Sequence, residues 1–565
     1  MSLRNRLMLP AILVSLAALA ACGGGSSSNP PVNPPPSGGF GNSNLNGTYV
    51  FSVAGSDVLG NFVTMMGTFT ADGQGNITAG VIDVNGTAGL SAFEAAINSG
   101  IYNVGLDGRP TGTQTLPTGL VTLQTSSLTY TFDFVLTSSE HGLITEFDGN
   151  GSASGSLDLQ GNVTQAQING QSFAFNFTGT SGVNSTLCGV SFNGATVPIP
   201  LSTVGAFTLD ANGNISGGQE DFNDNCVWTG PPDLSVTGGS VAIGEPFGTA
   251  VINTEVNGVT TQYNFDVFPI DATHLKFIEI DTAAPPTVLV GDAFPQASSI
   301  PAGNNVFTVA GFDSNQNALG PFTAAGILNM DGNGVITSSS VEDINDAFLV
   351  PPTVTGITGT YSSLAGGRAE IILTGFVNGN DGAACGSCAF AVYPSMGGLQ
   401  MLEIDGGGTT NGIAYAQTGT TLASGQGFGM NLSGVFLDNS TGSSNQEDDI
   451  AEFTNNNGAF SGIIDFNDQG SLTFRQSFRA SYEADTTVPG RGTVSPMTNA
   501  VGLNTYAVDD ATTVAVSIDS TFVALGALVQ QNSSAKSNAA VAHLAVLKAA
   551  QPAMQRAKSA KRRMQ

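Results

Sequence analysis

The hydrophobic residues of this chain recur in short alternating runs and not at helical spacing. Within residues 45–160, runs such as TYVFSVA, FVTMMGTFTA and LTYTFDFVL are separated by Gly, Asn, Asp or Pro. Alternation with a period of two predicts β-strands with one buried face, and the turn residues predict short antiparallel connections. About eight such runs fit this stretch, and eight strands can close into a barrel that hides its edges.

A tandem repeat organises the chain. The stretch FTADGQGNITAG begins at residue 69, near-copies begin at residues 207 and 328, and an Asp-x-Asn signature follows each of them. Asp-Gly and Gly-Asn pairs between two apolar runs supply the positive φ of a tight turn, so the repeated piece is predicted to be a β-hairpin of the scaffold. The signature occurs as Asp83 and Asn85, Asp221 and Asn223, Asp343 and Asn345, and Asp465 and Asn467.

Two further signatures mark the second half of each repeat. The first is Glu-x-Asp, present as Glu146 and Asp148, Glu279 and Asp281, and Glu403 and Asp405. The fourth repeat carries Ser517 and Asp519 at the matching place. The second is a glutamine after a strand of small residues, at Gln160, Gln296, Gln417 and Gln530.

These repeats predict an all-β protein of four tandem antiparallel units with about eight strands each. A barrel similar in size to a lipocalin or an avidin is the favoured fold of one unit, and a β-sandwich is the alternative. A short helix is expected near the C-terminus, where Ala, Leu and Val dominate. The predicted segments are a signal peptide at 1–21, a Gly/Ser/Pro tether at 22–44, β units at 45–160, 168–297, 303–418 and 427–531, and a basic helical tail at 532–565.

Charge is distributed unevenly along the chain. The formal net charge is −28, yet charged residues make up only 10% of the composition. All 43 acidic residues precede residue 532, whereas the tail after it carries basic residues and no acidic one. Such an acidic body repels phosphate groups, which argues against nucleic-acid binding. The basic tail suits an anionic lipid or cell-wall polymer. The alternatives are a frayed, solvated tail and a tail that rests on the acidic body itself.

The N-terminus has the pattern of an export signal. Two arginines precede an apolar run from Leu7 to Leu19, which is too short for a stable membrane span. The segment Leu19 to Cys22 resembles the lipobox of bacterial lipoproteins, which implies that Cys22 becomes the lipidated first residue. Since Gly23 and not Asp follows, the resemblance implies the outer membrane, with the body in the periplasm or at the cell surface. The tether at 22–44 would hold the body off the membrane.

A calcium loop is the first chemical candidate. Asp210, Asn212 and Asn214 resemble the start of a helix–loop–helix calcium loop, with Asp221 at its twelfth position. Ile215 stands where that loop needs Gly, and no helix flanks it. A hairpin turn is therefore the favoured interpretation. No cofactor is expected, although calcium in another arrangement stays possible in so acidic a body.

The Glu-x-Asp pairs are the second candidate. Residues two apart on a strand share a face, so each pair points the same way. Their apolar neighbours, Ile278 and Leu402 among them, are predicted to form the core, which places the carboxylates outward or at a rim. Paired carboxylates serve glycosidases, but their repetition favours a solvated structural face. His141 and His274 precede the first two pairs and are predicted to be turn-edge residues, neither bases nor metal ligands.

The four cysteines after Cys22 are even in number, which in an exported protein predicts disulfides. Pairing within units joins Cys188 to Cys226 and Cys385 to Cys388. The C-x-x-C spacing of the second pair resembles a redox motif, but a strand follows and not a helix, so a structural clip is favoured.

Aromatic residues alternate on several runs. Tyr130, Phe132 and Phe134 share one face, as do Tyr263 and Phe265, and Phe390 stands at the matching place in the third unit. Such a stripe can bind sugars but is more often core. Trp228 is the sole tryptophan, whereas glycan-stacking modules usually have more.

The complete chain resembles the tandem β-repeat lipoproteins common in bacterial genomes, which implies a location more than an activity. The leading hypothesis is a non-enzymatic binding or adhesion protein of the cell envelope, with a glycan, cell-wall polymer or protein as ligand, because repetition multiplies weak contacts. The alternatives are a structural spacer of the envelope and a polysaccharide hydrolase. No complete catalytic constellation supports the hydrolase.

Overall fold

The computed structural model describes residues 39–87, 92–109, 121–181, 199–224, 234–256, 259–281, 287–315, 318–377, 386–405, 408–438 and 442–532. Within these ranges nearly all regular structure is β-strand, which confirms the predicted all-β class. The α-helix α1 is a single turn, Gln165–Ile168, and two short 3-10 turns lie at Asn42–Asn44 and Ala365–Gly367. None of the helices in the described part of the chain has the length and apolarity needed to span a membrane.

The first unit is a closed antiparallel barrel. Except between β4 and β5, each strand pairs with the next, and the last returns to the first. Strands β4 and β5 both pair with β3 and together fill one position of the barrel wall. The strands are β1 (Asn46–Asp57), β2 (Phe62–Asp72), β3 (Asn76–Gly86), β4 (Phe93–Ile97), β5 (Ser99–Ile101), β6 (Val121–Gln124), β7 (Thr129–Leu136), β8 (His141–Glu146) and β9 (Gly151–Leu159).

The second unit repeats this up-and-down order with eight strands, and its last strand closes on its first. Its strands are β10 (Ser172–Ser181), β11 (Ile199–Leu209), β12 (Ile215–Asn223), β13 (Leu234–Ala242), β14 (Gly248–Val256), β15 (Val259–Asp271), β16 (His274–Glu279) and β17 (Val288–Pro295).

The third and fourth units are closed eight-stranded barrels of the same order, so the barrel and not the β-sandwich is the fold of each unit. The third consists of β18 (Gly303–Asn315), β19 (Ala318–Met330), β20 (Val335–Asp346), β21 (Val354–Ser363), β22 (Ala369–Thr374), β23 (Cys388–Ser395), β24 (Gly398–Glu403) and β25 (Gly408–Ala416). The fourth consists of β26 (Gln426–Asp438), β27 (Ser443–Asn456), β28 (Ala459–Asp468), β29 (Ser471–Ala484), β30 (Arg491–Thr498), β31 (Leu503–Ala507), β32 (Thr512–Ser517) and β33 (Phe522–Gln530).

Aromatic side chains fill the barrel interiors. In the first barrel Phe51 lies 5.5 Å from Phe132 and 6.0 Å from Phe69, measured between ring centroids. In the described residues each barrel has its own buried apolar cluster. The prediction that the alternating aromatics are core is confirmed for Tyr130, Phe132, Phe134, Phe265 and Phe390, which are buried. Tyr263 is half-buried and packs against the core of the second barrel. The interior of each barrel is therefore packed with side chains.

Candidate functional site

The four barrels form a closed ring. Each barrel packs against the next in chain order, and the fourth packs against the first through β26 and β27 on one side and β7, β8 and β9 on the other. We call the four contacts joints 1/2, 2/3, 3/4 and 4/1. The repeated signatures lie at these joints.

The asparagine of each Asp-x-Asn signature fastens one barrel to the next. In joint 4/1 the Nδ2 of Asn467 donates to the carbonyl oxygens of Glu146, at 2.6 Å, and Gly151, at 2.8 Å. The equivalent bonds run from Asn85 to the Glu279 carbonyl, from Asn223 to the Glu403 and Gly408 carbonyls, and from Asn345 to the Ser517, Asp519 and Phe522 carbonyls. The Asp-x-Asn signature of one unit thus binds the backbone at the second signature of the next.

The closing glutamines cross the same joints. Gln160 Nε2 donates to the carbonyls of Pro246 and Pro269 in the second barrel, at 3.2 and 3.1 Å. Gln296 reaches the Gly366 carbonyl, Gln417 the Ala507 carbonyl, and Gln531 the Asp107 and Leu136 carbonyls. The fourth member of this set is therefore Gln531, and the choice of Gln530 was wrong. Gln530 belongs to β33, where it pairs with Phe428.

An arginine neutralises the aspartate of the signature in joint 2/3. Arg368 Nε donates to Asp221 Oδ2 at 2.7 Å and Nη2 to Oδ1 at 2.9 Å, while the Tyr393 hydroxyl donates to Oδ2 at 2.7 Å. Such a forked pair satisfies both oxygens of a buried carboxylate. Joint 3/4 has the same arrangement, made by Arg491, Asp343 and Tyr506.

Joint 4/1 uses one arginine between two carboxylates. Arg109 is buried, and its Nη2 donates to Asp465 of the fourth barrel and to Asp133 of its own barrel. Its Nη1 donates to the Ile450 carbonyl at 2.8 Å. Burial raises the pKa of Asp133 well above its ordinary value, although the guanidinium opposes that shift. Among the described residues, the charged side chains around Arg109 are thus mainly acidic.

The Glu-x-Asp glutamates do not lie on a solvated face. Glu146, Glu279 and Glu403 are only 6%, 1% and 0% exposed. On the neighbouring strand each lies opposite a phenylalanine of the barrel interior, namely Phe132, Phe265 and Phe390. Their apolar neighbours Ile278 and Leu402 instead pack in the clusters between barrels. The expected assignment of faces was therefore wrong, because the neighbouring barrel covers the outer face of these strands.

Each glutamate forms a carboxyl pair with the aspartate two residues later. Burial, followed by the charge of Asp148, raises the pKa of Glu146 well above its ordinary value. The pairs Glu279 with Asp281 and Glu403 with Asp405 show the same direction for the same causes. A glutamate that stays protonated can donate a hydrogen bond to its partner. Such a hydrogen bond explains how each buried Glu-x-Asp pair can serve as a structural group.

The aspartate of the repeated turn accepts hydrogen bonds from other residues of the same turn. Asp210 Oδ1 accepts the amides of Asn212, at 2.7 Å, and Asn214, at 2.9 Å, and Oδ2 accepts Asn214 Nδ2 at 3.0 Å. These bonds lower the pKa of Asp210, with the Asn214 side chain as the first cause. Since β11 and β12 pair on either side of the turn, the hairpin prediction is confirmed. Among the described residues no group of three or more His, Cys, Asp or Glu is placed to hold a metal ion.

The two histidines are buried at the first positions of β8 and β16. His141 Nδ1 is 2.7 Å from Asp158 Oδ1, and Ser156 Oγ donates to Asp158 Oδ2 at 2.8 Å. In the second barrel His274 and Lys276 both contact Asp292. Each histidine thus contacts an aspartate of the last strand of its own barrel.

Several predicted residues lie outside the described residues: Cys22, Cys188, Cys226, Cys385 and Trp228, with the signal segment, most of the tether and the basic tail. Cys388 is described, is buried and takes part in a disulfide bond. The carboxylates Asp148, Asp281 and Asp405 are half-buried beside their glutamates.

A central cavity of about 100 Å³ lies where all four barrels meet. Apolar side chains, amides, hydroxyls and the Asp292 carboxylate line it. Two of the amides link barrels: Asn176 Nδ2 donates to the Gly412 carbonyl at 2.9 Å, and Asn411 Nδ2 donates to Asn176 Oδ1 at 2.6 Å. None of the three signatures predicts this cavity. A fourth repeated position could have signalled it, the glycine in the last strand of each barrel: Gly155, Gly291, Gly412 and Gly526.

Those glycines are required by close packing. A Cβ on Gly412 would lie 1.8 Å from the Thr308 carbonyl oxygen, and one on Gly155 would lie 1.9 Å from that of Ser52. No side chain fits at such distances. The four positions therefore keep the first and last strands of each barrel together at the centre of the ring.

Comparison with known proteins identifies no family. No family description matches the chain, and no curated protein matches it. Among solved structures it is similar to intact Ap-TbpB with N and C lobes, with 11% identity, a TM-score of 0.19, and coverage of 89% of this chain and 99% of that one.

Two further solved structures show a similarly weak likeness. Transferrin binding protein B of serogroup B Neisseria meningitidis has 7% identity and a TM-score of 0.17, covering 69% of this chain and 84% of that one. A mutant transferrin binding protein B of Haemophilus parasuis has 10% identity and a TM-score of 0.18, covering 72% and 84%. TM-scores this low assign neither a shared architecture nor a shared ligand. The class that the structure itself defines is a ring of four tandem β-barrels.

Removing one fastening asparagine should weaken its joint. We expect Asn467→Ala to lower the free energy of unfolding by about 1–3 kcal/mol, because two buried carbonyls lose their donor. Urea denaturation measures the loss, and the exposed Asn98→Ala serves as the matched control. Equal losses in the two variants would show that the bonds to Glu146 and Gly151 contribute nothing.

Proposed function

We propose that this chain is a lipid-anchored protein of the bacterial cell envelope that acts by binding and presents its four barrels as one rigid ring. The observation that carries the proposal is that one loop of the first barrel binds both the segment before β1 and the segment after β33. Phe40 N donates to the Leu106 carbonyl at 3.0 Å, and Gln531 Nε2 donates to the Asp107 carbonyl at 2.7 Å. One loop of the first barrel thus holds both the start and the end of the ring.

This arrangement favours binding over a spacer. A spacer gains length from each added unit, and its two ends lie far apart. Here the fourth barrel returns to the first, so additional units enlarge a ring and do not extend a rod. An anchor attached through the tether before Phe40 would hold the ring at one corner. The outer faces and hairpin loops of the barrels would then be available to a ligand.

The ligand is expected to contact the outside of the ring. Aromatic clusters fill the barrel interiors in the described part of the chain, so the lipocalin-like use of a barrel as a container has no support. Few charges and many Ser, Thr and Asn side chains suit a neutral glycan, a cell-wall polymer or a polar protein surface. Calcium as an additional ligand remains part of the proposal.

An array of glycans and cell-wall polymers tests the proposal. The mature protein is applied with and without calcium, beside a variant with joint 4/1 broken by Arg109→Ala. Specific binding that weakens in the variant is the expected result, because the ring fixes the spacing of the contacts. Silence in both conditions, together with no binding to intact envelope preparations, would contradict a binding function.

The anchor is tested independently of the ligand. We expect the wild-type chain, expressed in a Gram-negative host, to incorporate a labelled fatty acid and to fractionate with the outer membrane. Cys22→Ala should abolish the label and release the body, because lipid chains contribute about 0.8 kcal/mol per buried methylene to membrane binding. Cys388→Ala is the control with a cysteine lost elsewhere. Labelling that persists in Cys22→Ala would refute the anchor.

A further inference from the structure

In the described part of the chain, no arginine lies opposite the signature aspartate of joint 1/2. Arg368 stands immediately before β22 and Arg491 begins β30, whereas Phe247 stands immediately before the equivalent strand β14. Phe247 stacks on Phe268 at a centroid distance of 5.2 Å. Phe268 lies three residues after Phe265, which pairs with Glu279 on the neighbouring strand. In the third barrel Tyr393 lies likewise three residues after Phe390, which pairs with Glu403. Joint 1/2 thus has phenylalanine at the two positions where joints 2/3 and 3/4 have the arginine and the tyrosine that bond the signature aspartate.

The signature aspartate of this joint faces acids. Asp83 is 2% exposed, and no donor of the described residues reaches either of its carboxylate oxygens. Asp266 of the second barrel, 6% exposed, lies within hydrogen-bond reach, and Glu94 stands directly opposite Asp83 in the strand pair β3–β4. On the neighbouring strand β16, Lys276 donates to Asp292. The described charged groups that act on Asp83 are therefore carboxylates.

Two carboxylates cannot form a hydrogen bond unless one carries a proton, because ionised carboxylates are acceptors only. A shared proton gives a short, strong O–H···O bond. Without that proton, two like charges face each other in a largely apolar contact formed by residues such as Val50, Met66 and Ile278. The proton therefore fills the place that a guanidinium fills in the other three joints.

We propose that a proton shared by Asp83 and Asp266 holds joint 1/2 closed, and that the ring opens at this joint when the proton is lost. The remaining joints stay closed because arginine remains charged at any physiological pH. Since the first and second barrels both line the central cavity, opening this joint also exposes that cavity.

The direction of the pKa shifts agrees with this geometry. Burial, and then the charge of Asp266, raises the pKa of Asp83 to about 8, and burial raises that of Asp266 to about 6. A carboxyl group whose pKa is raised in the folded state stabilises that state at low pH and loses the contribution as pH rises through the folded value. Joint 1/2 should therefore weaken from about pH 4 to about pH 8.

Hydrogen–deuterium exchange resolves the joints separately. The full chain is measured in EDTA from pH 5 to pH 9, with rates corrected for intrinsic exchange. We expect protection of β3 and β16 to fall by up to about tenfold per pH unit, while β30 and β32 of joint 3/4, which contain no carboxyl group, keep theirs. A parallel loss in both joints would overturn the proposal, since many buried carboxyl groups elsewhere in the ring also titrate.

Three variants decide whether the shared proton is the cause. Asp83→Asn replaces the proton by an amide donor and should remove the pH dependence at joint 1/2. Asp266→Asn is the second route to the same result should the first variant fail to fold. Phe247→Arg restores the cation of the other joints and should keep joint 1/2 closed at pH 9. A wild-type profile in the two asparagine variants would refute the proposal.

Discussion

Replacing Arg109 with alanine is expected to lower the free energy of unfolding by about 3–5 kcal/mol, among the largest effects of any substitution at the joints. The guanidinium is 1% exposed and lies between Asp133 and Asp465. Its removal leaves two carboxylates buried near each other and frees the Ile450 carbonyl. Because the loss comes from uncompensated charge, it should shrink as pH falls and the carboxyl groups take up protons.

Urea denaturation with exchange measured at β7 and β27 tests this expectation. Arg479 is exposed, so Arg479→Ala is the matched control and should change stability by no more than about 0.5 kcal/mol. A triple variant, Arg109→Met with Asp133→Asn and Asp465→Asn, should recover most of the loss. If Arg109→Ala behaves like Arg479→Ala, the buried arginine does not hold joint 4/1.

Phe177→Ala should cost about 3–5 kcal/mol by opening the core of the second barrel. The Phe177 ring centroid lies 4.6 Å from Phe175, 5.0 Å from Phe265 and 5.3 Å from Phe277. Aromatic pairs add about 0.5–1.5 kcal/mol to the burial of area alone. The loss should appear first as faster exchange in β10 and β15.

Two control variants separate the loss of core packing from the mere loss of an aromatic side chain. Phe177→Leu keeps most of the buried volume and should cost less than alanine. Phe93 is partly exposed on β4, so Phe93→Ala should have a small effect. A loss spread evenly over all four barrels would contradict a local core. It would show instead that the ring unfolds as one cooperative body.

The ring changes how multivalency works in this protein. Independent units on a string gain avidity through a flexible linker. Units fixed by buried asparagine, glutamine and arginine bonds have one spacing, so the ligand must match that geometry. A joint that opens with pH would release this constraint at one place and leave the other three intact.

Much of the fold could be predicted from the sequence. Period-two alternation gave the strands, because the pleat places successive side chains on opposite faces. The turn around Asp210 was predicted because Asp, Asn and Gly satisfy a tight turn locally. The same locality identified Phe132 and Phe134 as core, since they alternate on one strand. Each of these features depends on residues close together in the chain.

The role of the signatures could not be predicted in this way. Asn467 binds the backbone at Glu146, more than 300 positions away in the chain, and no local pattern states that distance. The faces of the Glu-x-Asp strands were assigned wrongly because both faces are buried, one by the barrel interior and the other by a neighbour. Alternation cannot distinguish two buried faces.

The sequence by itself determined the strands, the turns, the number of units and the repetition of three signatures, because each is a local or periodic property. Only the tertiary structure decided that the units close into a ring and that the signatures are its joints. It also decided that the buried aspartate of one joint, Asp83, lies among carboxylates of the described residues where the other joints have arginine. The physical reason is that a buried charge is stabilised by groups brought near it in space, and separation along the chain does not encode that proximity.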